Sequence, residues 1–338
     1  MRIGIDAMGG DHAPEEEVKG ALAAGEFLSP EDRIVLVGPE PELRKHLAAA
    51  KGVPQGHVEV RHAGQAVGMD EAPVEALRTN PDSSLAVLTK MHRAGQIDAA
   101  VSAGNTGAFV AAAQMHLRRL RGVHRPGIAV VTPTFHGPVT ICDVGANVSC
   151  RPQHLHQYGV MASLYASTVC GISRPRVGLL SIGQEDAKGN ELVKKARDLL
   201  RDETSINFIG NVEGRDIFAG VCDVVVCDGF VGNVVLKLME GMGAAMLRGF
   251  IEDLRASMPQ HMDAVKKAAG RITATYDFNE YGGAPLLGVG GICIICHGAS
   301  NHVGIKNAVR GAKEFSRQHV NDSITAILSA RQQRVAHG

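Results

Sequence analysis

Tryptophan is absent from this chain of 338 residues, and aromatic residues of any kind make up only 4% of it. The composition is otherwise that of a globular protein, 45% hydrophobic and 21% charged, with an excess of glycine at 40 residues. A chain of this length buries enough surface to be stable without covalent staples. Net charge is also missing, because Lys+Arg and Asp+Glu both number 35. Overall charge therefore argues neither for nor against nucleic acid, which is not expected as a partner, and a charged partner must be met by a local patch. No run of about 20 uncharged apolar residues occurs, so no membrane-spanning helix is expected. Met1-Arg-Ile-Gly-Ile-Asp6 leads straight into a strand-like run without a signal-peptide pattern, which sets the expectation of a cytoplasmic protein. A disulfide framework is lacking too. The cysteines number seven, an odd count, and several sit in apolar runs such as Val224-Val-Val-Cys227, as small buried hydrophobes do in a reducing compartment.

The common phosphate and nucleophile motifs are missing as well. There is no G-x-x-x-x-G-K-[ST], and no G-x-G-x-x-G follows a strand. Ser102 and Ser300 fall short of G-x-S-x-G because Ala100 and His302 take the outer glycine positions, which argues against a serine-hydrolase elbow. No H-E-x-x-H occurs, and His154 and His156, two apart, do not share a helix face. No metal and no cofactor are expected.

Short Val/Ile/Leu runs alternating with helical patterns fill the chain. Strands are expected at 2–6, 34–37, 58–61, 99–102, 128–132, 140–144, 177–182, 207–209, 224–227 and 292–296. Helices are expected at 18–27, 107–120, 154–169, 191–200, 233–255 and 301–318. This alternation implies βαβ units, a mainly parallel sheet covered on both faces, and one large α/β unit over 1–338, with Gly171–Pro175 as the candidate point of subdivision. A helical hairpin is read at 242–272.

One junction type recurs. Strand-like runs enter Ala103-Gly-Asn105-Thr106-Gly107, Lys188-Gly-Asn190-Glu191, Asp228-Gly229-Phe-Val-Gly232-Asn233 and His297-Gly-Ala-Ser-Asn301 just before a helix. The carboxyl ends of parallel strands hold the ligand crevice, glycine lets backbone approach a ligand, and helix N-termini attract phosphate. Gly and Asn are equally turn and N-cap residues, and a single such loop favours that plainer reading. Four loops of one chemistry favour a shared anion-binding crevice.

These loops resemble the phosphate acyltransferase (PlsX) family of bacterial phospholipid synthesis. The likeness runs through Asp6-Ala-Met-Gly9-Gly10-Asp11, Ser102-Ala-Gly-Asn-Thr-Gly107, Arg125-Pro-Gly127, Asp143-Val-Gly-Ala-Asn147, Lys188-Gly-Asn-Glu-Leu-Val193, Asn207 to Asp216 with Asn211, Cys227-Asp-Gly-Phe-Val-Gly-Asn-Val-Val-Leu-Lys237, Tyr281 to Gly288, and His297-Gly298. Gln184 stands where the family has Glu, and Ala299-Ser-Asn-His302 is a variant of the family's ending.

The resemblance implies a Rossmann-like α/β/α sandwich related to phosphotransacetylases and isopropylmalate- or isocitrate-type dehydrogenases. It also implies a homodimer at the membrane periphery that moves a fatty acyl group from acyl carrier protein to inorganic phosphate. The acyl phosphate would go to a downstream glycerol-3-phosphate acyltransferase. It implies further that Lys188 and Asn233 are functional. The substrate-binding set is then Gly9, Gly10, Asp11, Ser102, Asn105, Thr106, Asp143, Asn147, Asn190, Asn211, Asp228, Gly229, Gly232 and His297.

Such chemistry needs phosphate placed beside the thioester carbonyl, preset donors for the tetrahedral oxyanion, and a thiolate able to leave. Phosphate is its own nucleophile, so the missing elbow is consistent with it. Arg118, Arg119, Arg121 and Arg125 carry no intervening acid; they are a docking patch for an acidic carrier or favourable charge at a helix C-terminus. Cys293-Ile-Ile-Cys296-His297 matches a haem-attachment pattern, but it lies in a buried-strand run without an export signal, and covalent haem is not expected. A coenzyme A-dependent phosphate acetyltransferase, a dehydrogenase on the related fold and a non-catalytic membrane scaffold are the alternative readings. The hairpin, apolar at 242, 246, 247, 250, 251, 254 and 258 and basic at Lys266, Lys267 and Arg271, is read as a core or dimer element whose tip touches anionic membrane.

Overall fold

A computed structural model describes residues 1–50, 56–276 and 278–337. Its strands are β1 Arg2–Asp6, β2 Arg33–Gly38, β3 Val58–His62, β4 Ala99–Ser102, β5 Gly127–Thr134, β6 Gly137–Cys142, β7 Arg176–Leu180, β8 Asn207–Val212, β9 Val224–Val226, β10 Ala284–Leu287 and β11 Ile292–Ile295. Its helices are α1 Glu15–Ala23, α2 Glu40–Ala49, α3 Pro73–Thr79, α4 Ser84–Arg93, α5 Thr106–His116, α6 Pro152–Thr168, α7 Glu191–Arg201, α8 Gly229–Ser257, α9 Met262–Tyr276, α10 His302–Arg317 and α11 Val320–His337.

The strands form one sheet in the order β3-β2-β1-β4-β11-β10-β5-β6-β9-β7-β8. Period-two alternation sends side chains to both faces. Val35 and Val37 of β2 join one core cluster, while Ile34 and Leu36 join another on the opposite face. Val225 and its neighbours Val224 and Val226 divide in the same way on β9. Helices therefore cover both faces, as the near-continuous apolar strands require.

The α/β/α sandwich with a mainly parallel sheet is as expected, but its centre is not parallel. Strands β3, β2, β1, β4 and β11 run together, and so do β6, β9, β7 and β8. Between them the pairings β11–β10, β10–β5 and β5–β6 are antiparallel. Three reversals set the two halves of the sheet in opposite directions, so their carboxyl ends lie at opposite edges. β10, the strand absent from the sequence reading, supplies two of those reversals.

Helix α8 links the halves. It starts just after β9 at one edge, packs Val235, Leu236 and Met239 against the core, and turns through Pro259–His261 into α9. Among the described residues it is the one helix long and apolar enough, by length and composition, to cross a membrane, although Lys237 and Glu240 interrupt it. Phe230, Val234, Leu238, Met242, Met246 and Phe250, at every fourth position, are all more than half exposed. They form a long apolar ridge on the surface.

Candidate active site

At one edge the carboxyl ends of β1, β4 and β11 meet. Ser102 ends β4 fully buried and donates its hydroxyl to Asp6 Oδ2 at 2.7 Å, while Gly104 N–H donates to Ser102 Oγ at 3.0 Å. The 9–11 loop lies directly on this pair. A Cβ at Gly9 would stand 2.3 Å from Asp6 Oδ2 and 2.8 Å from Gly104 N, so no side chain fits. Asp11 N–H donates to Gly298 O at 2.8 Å, and Cys296 N–H to Ser102 O at 2.8 Å, which joins the 297–300 loop to the other two. Beneath Gly10 lies Glu17, 1% exposed, whose Oε2 has no hydrogen-bond partner. Burial pushes its carboxyl up to about 8 and raises that of Asp6 as well.

Thr106, half-buried, opens α5 beside this cluster. By contrast, the start of α10 is already filled by the chain's own acid. Glu16 Oε2 accepts from His302 N–H at 2.6 Å and lies 2.9 Å from His302 Nδ1. Although burial opposes it, bonding from His302 and Lys19 holds Glu16 down at about 2.

At the opposite edge β6, β7, β8 and β9 end. Asp143 is fully buried. Its Oδ1 accepts from the backbone of Ile128, Gly145 and Ala146 at 3.0, 3.1 and 2.9 Å, and its Oδ2 accepts from that of Asn147 at 2.8 Å. Burial raises its carboxyl and these four N–H groups pull it back. Asn147 Nδ2 donates to Pro126 O at 2.6 Å and Tyr158 Oη at 2.9 Å, and Asn147 O accepts from Gly229 N. Asp143 and Asn147 thus shape the loop on which α8 begins. A Cβ at Gly232 would lie 2.0 Å from Asp143 O, so only glycine lets α8 start there. Asn211 Nδ2 donates to Glu185 O at 3.1 Å while its buried Oδ1 has no partner. Gln184 donates to Asp216 Oδ2 at 3.0 Å, a contact that the family's glutamate would turn into two facing carboxylates. Gln184, Asp186, Arg201 and Asn211 line a cleft of ≈ 530 Å³ beside β8. Lys188 and Asn233 are both exposed at this edge.

The single shared crevice expected from the sequence is therefore two. Ser102 and Asp143 lie on strands four positions apart in the sheet, roughly 19 Å at ~4.8 Å per step, and at opposite edges. Gly9, Gly10, Asp11, Ser102, Asn105, Thr106 and His297 gather at one edge. Asp143, Asn147, Lys188, Asn190, Asn211, Asp228, Gly229, Gly232 and Asn233 gather at the other. The plain reading of the Asn and Asp junctions also holds for their side chains. Asn105 Oδ1 accepts from Ala108 N, Asn190 Oδ1 from Val193 N, Asp228 Oδ1 from Phe230 and Val231 N, and Asn301 Oδ1 from Val303 N. Asn105 Nδ2 is also occupied, donating to the carbonyls of Gly68, Met69 and Glu71. What these loops offer an anion is backbone N–H, glycine access and helix N-termini.

The family model described as "Fatty acid synthesis protein" matches residues 1–323. A phosphate acyltransferase of Geobacter sulfurreducens is 46% identical over 328 residues, 96% of this chain and 93% of that protein. One of Desulforamulus reducens is 47% identical over 329 residues, 97% of each. The chain belongs to the phosphate acyltransferase family. Solved structures of like fold include a phosphotransacetylase from Streptococcus pyogenes, at TM-score 0.64 and 15% identity, covering 94% of each chain. A 4-hydroxythreonine-4-phosphate dehydrogenase from Klebsiella pneumoniae has TM-score 0.52 and 14% identity, covering 95% of this chain and 97% of its own. At these identities the likeness speaks for the fold alone.

For this phosphate acyltransferase family member the structure adds a residue that sequence reasoning passed over. Lys237, two turns into α8, places Nζ 2.7 Å from His297 Nε2 and 3.2 Å from Glu240 Oε2, and Ala299 N–H donates to His297 Nδ1 at 3.1 Å. Lys237 closes the matched Gly-Phe-Val-Gly-Asn motif, and that membership was its only signal. The arginine cluster does not sit on a helix, since α5 ends at His116. Arg118, with φ 64°, lines a cleft of ≈ 370 Å³ with His92, Arg93 and His116, and Arg119 donates to His124 O. Cys293 on β11 and Cys296 just after it are buried, and desolvation pushes both thiols up to about 12.

Proposed function

We propose that this acyltransferase-family enzyme moves a long-chain fatty acyl group from acyl carrier protein to inorganic phosphate, releasing an acyl phosphate for phospholipid synthesis. One observation carries the reading: beside two crevices suited to anions, neither the thiols nor Ser102 is an activated nucleophile among the described residues. Burial raises all seven thiols. Ser102 gives its hydroxyl to a buried carboxylate rather than to a histidine base. A reaction in which the substrate is the nucleophile suits such a site. A phosphate oxygen attacks the thioester carbon, fixed N–H groups meet the oxyanion, and the carrier's sulfur leaves with the phosphate's proton.

Lys188 and Asn233 serve this chemistry from the second edge, where Asn233 stands beside the exposed ridge of α8. That ridge is the face of a homodimer, because six large apolar side chains at one spacing need cover. The cleft of Arg93 and Arg118, with Arg119, Arg121 and Arg125 nearby, suits an acidic carrier protein. The reading places the enzyme in the cytoplasm at the inner face of the membrane, delivering product to a glycerol-3-phosphate acyltransferase.

The fold's likeness to phosphotransacetylases favours a second reading, transfer from coenzyme A. Purified protein given phosphate and either acyl carrier protein or coenzyme A thioesters decides between them, with acyl phosphate trapped as hydroxamate. Faster product from the carrier thioester supports the proposal. Preference for coenzyme A replaces it, NAD reduction without acyl phosphate points to the dehydrogenase, and no turnover at all leaves the scaffold.

A further inference from the structure

Arg93 ends α4, and Arg118 follows the last turn of α5. Both are exposed, and among the described residues neither guanidinium has an ion-pair or hydrogen-bond partner. They line one cleft of ≈ 370 Å³ with His92, His116, Leu117 and Gly290. The backbone around them is fixed. Gly290 N–H donates to Arg118 O at 3.0 Å and Leu120 N–H to Gly288 O at 3.0 Å, which stitches this segment to the loop before β11. Arg118 is held there at φ 64°, a left-handed conformation that arginine seldom takes. Thr89 donates its hydroxyl to Leu85 O at 2.8 Å, so His116 Nδ1, 2.8 Å from Thr89 Oγ, carries the hydrogen between them and leaves Nε2 for the cleft. Burial first, and then the charges of Lys90 and Arg93, lower the pKa of His116. The cleft is positive and short of an anion.

Its position narrows the choice of anion. β4 and β11 end at the edge of Ser102, so they start at the opposite one, where Arg93 leads into β4 and Gly290 precedes β11. Lys188 and Asn233 stand at that same edge. From β11 to β6, whose end carries the Asp143 loop on which α8 begins, is three strand steps, roughly 14 Å at ~4.8 Å per step. A phosphate in the cleft is therefore too far from Asn233 to attack a thioester there. The thioester donor, however, brings a phosphate of its own. In acyl carrier protein and in coenzyme A alike, the sulfur hangs on a pantetheine arm rooted in a phosphate ester. About thirteen bonds separate that phosphorus from the sulfur, and at ~3.5 Å for every three bonds of extended chain they reach roughly 15 Å.

We propose that this cleft binds the phosphate that roots the pantetheine arm of the thioester donor, with Arg93 and Arg118 as its partners. The arm then crosses the edge and presents the thioester at the start of α8, where Asn233 stands. The inference rests on the thioester-dependent reaction proposed above and gives its donor a second point of attachment. A group that holds the donor away from the reacting atoms acts on KM and spares kcat.

The test uses full-length wild type, Arg93→Gln/Arg118→Gln and Arg93→Lys/Arg118→Lys, each checked by thermal melting. Four donors carry the same acyl chain: the carrier protein thioester, the coenzyme A thioester, S-acyl-4′-phosphopantetheine, and S-acyl-pantetheine, which lacks the phosphate. Wild type should show a KM about tenfold to a hundredfold lower for S-acyl-4′-phosphopantetheine than for S-acyl-pantetheine, the worth of a charge-assisted contact. The glutamine variant should bring the two together by weakening the phosphorylated donor alone. Its kcat, and its KM for S-acyl-pantetheine and for inorganic phosphate, should stay within about twofold. Whichever of the carrier and coenzyme A thioesters wild type prefers should lose as much, which identifies the source of the phosphate, and the lysine variant should recover part of the loss. Equal KM values for the two small donors in wild type overturn the site, as does an equal loss of both in the glutamine variant. A loss confined to the carrier thioester means that the arginines meet the carrier's acidic surface, and a loss confined to inorganic phosphate means that the acceptor sits here; either overturns the site as well. Calorimetric titration with 4′-phosphopantetheine separates the site from the reaction. Wild type that binds it through these arginines, yet forms no acyl phosphate from any donor, sinks the reaction and leaves the site standing. Acyl phosphate made from both small donors with equal KM does the reverse.

Discussion

Ser102 donates its hydroxyl to Asp6 across 2.7 Å, joining residues 96 apart in the chain, and Glu17 lies beside them under Gly10. Two buried carboxyls near one another disfavour double ionisation, and for Glu17 desolvation is the larger cause, with the charge of Asp6 adding to it. Its folded value of about 8 lies above the 4.5 of the free group. Between those values the folded chain keeps a proton that the unfolded chain has released, so stability falls as pH rises through that window. Glu17→Gln should flatten this slope and exceed wild type at pH 9 by on the order of a few kcal/mol. Urea denaturation at pH 5, 7 and 9 measures it, and parallel slopes for the two proteins would mean that Glu17 is ionised in the fold.

Gly232 sets how closely α8 approaches the Asp143 loop. An alanine there would put Cβ 2.0 Å from Asp143 O, a backbone atom that cannot swing away. Gly232→Ala should therefore destabilise the protein by about 1–3 kcal/mol or more. Because it tilts the start of α8, it should also lower turnover. A melting point equal to wild type would show that the loop yields freely.

Lys188→Ala and Asn233→Ala should each lose most turnover, about a hundredfold if each supplies one interaction present only in the transition state. Both side chains are exposed, so neither change empties the core, and far-UV circular dichroism and melting should match wild type. A folded Lys188→Ala enzyme of near-normal rate ends its catalytic role.

The sequence shows which residues gather at strand ends but not which edge each end faces. Ten strands were legible as short apolar runs such as Val224–Val226, whose β-branched side chains favour extended backbone. β10 was not, since Ala284–Leu287 is four residues with a proline, set between glycines of positive φ at 282, 283 and 288. Nothing local to that tetrapeptide says that it pairs antiparallel on both sides, yet that pairing separates Ser102 from Asp143. Helices α2, α3, α4 and α11 were missed; α2 buries only Leu43 and Leu47 and α3 only Ala76 and Leu77, faces too narrow to stand out as a pattern. Lys237 was hidden for a different reason. On a helical pattern it is one polar residue on an apolar helix, and its partner His297 is 60 residues away.

The ridge of α8 tests the dimer. Leu238 and Met246, 64% and 66% exposed, touch little in one chain, so Leu238→Asp/Met246→Asp should leave the fold intact and convert a dimer to monomers. Light scattering on a size-exclusion column reads this directly. A wild type that elutes as a monomer at micromolar concentration, or a double variant that stays dimeric, removes the ridge as the interface.

The hairpin tip is the last case. Met258 is 40% exposed where α8 ends, the turn continues through Pro259–His261, and α9 then presents Lys266, Lys267 and Arg271, all exposed. Apolar side chains at a tip flanked by lysine and arginine match what an anionic bilayer takes up, and an acyl phosphate is a product that partitions there. Two methionines are a small anchor, so binding should be weak and should fade with salt. Wild type should float with anionic vesicles at low ionic strength, less so at high, and scarcely with neutral ones. Met258→Asp/Met262→Asp should weaken flotation about tenfold or more, since it removes apolar area and adds two charges that anionic lipid repels. Dimer mass and turnover in solution must be unchanged in the same preparation, so that loss of flotation cannot be loss of fold. Equal flotation of the two proteins would falsify the tip as the contact and leave the ridge of α8 as the remaining apolar surface on this helix to be accounted for.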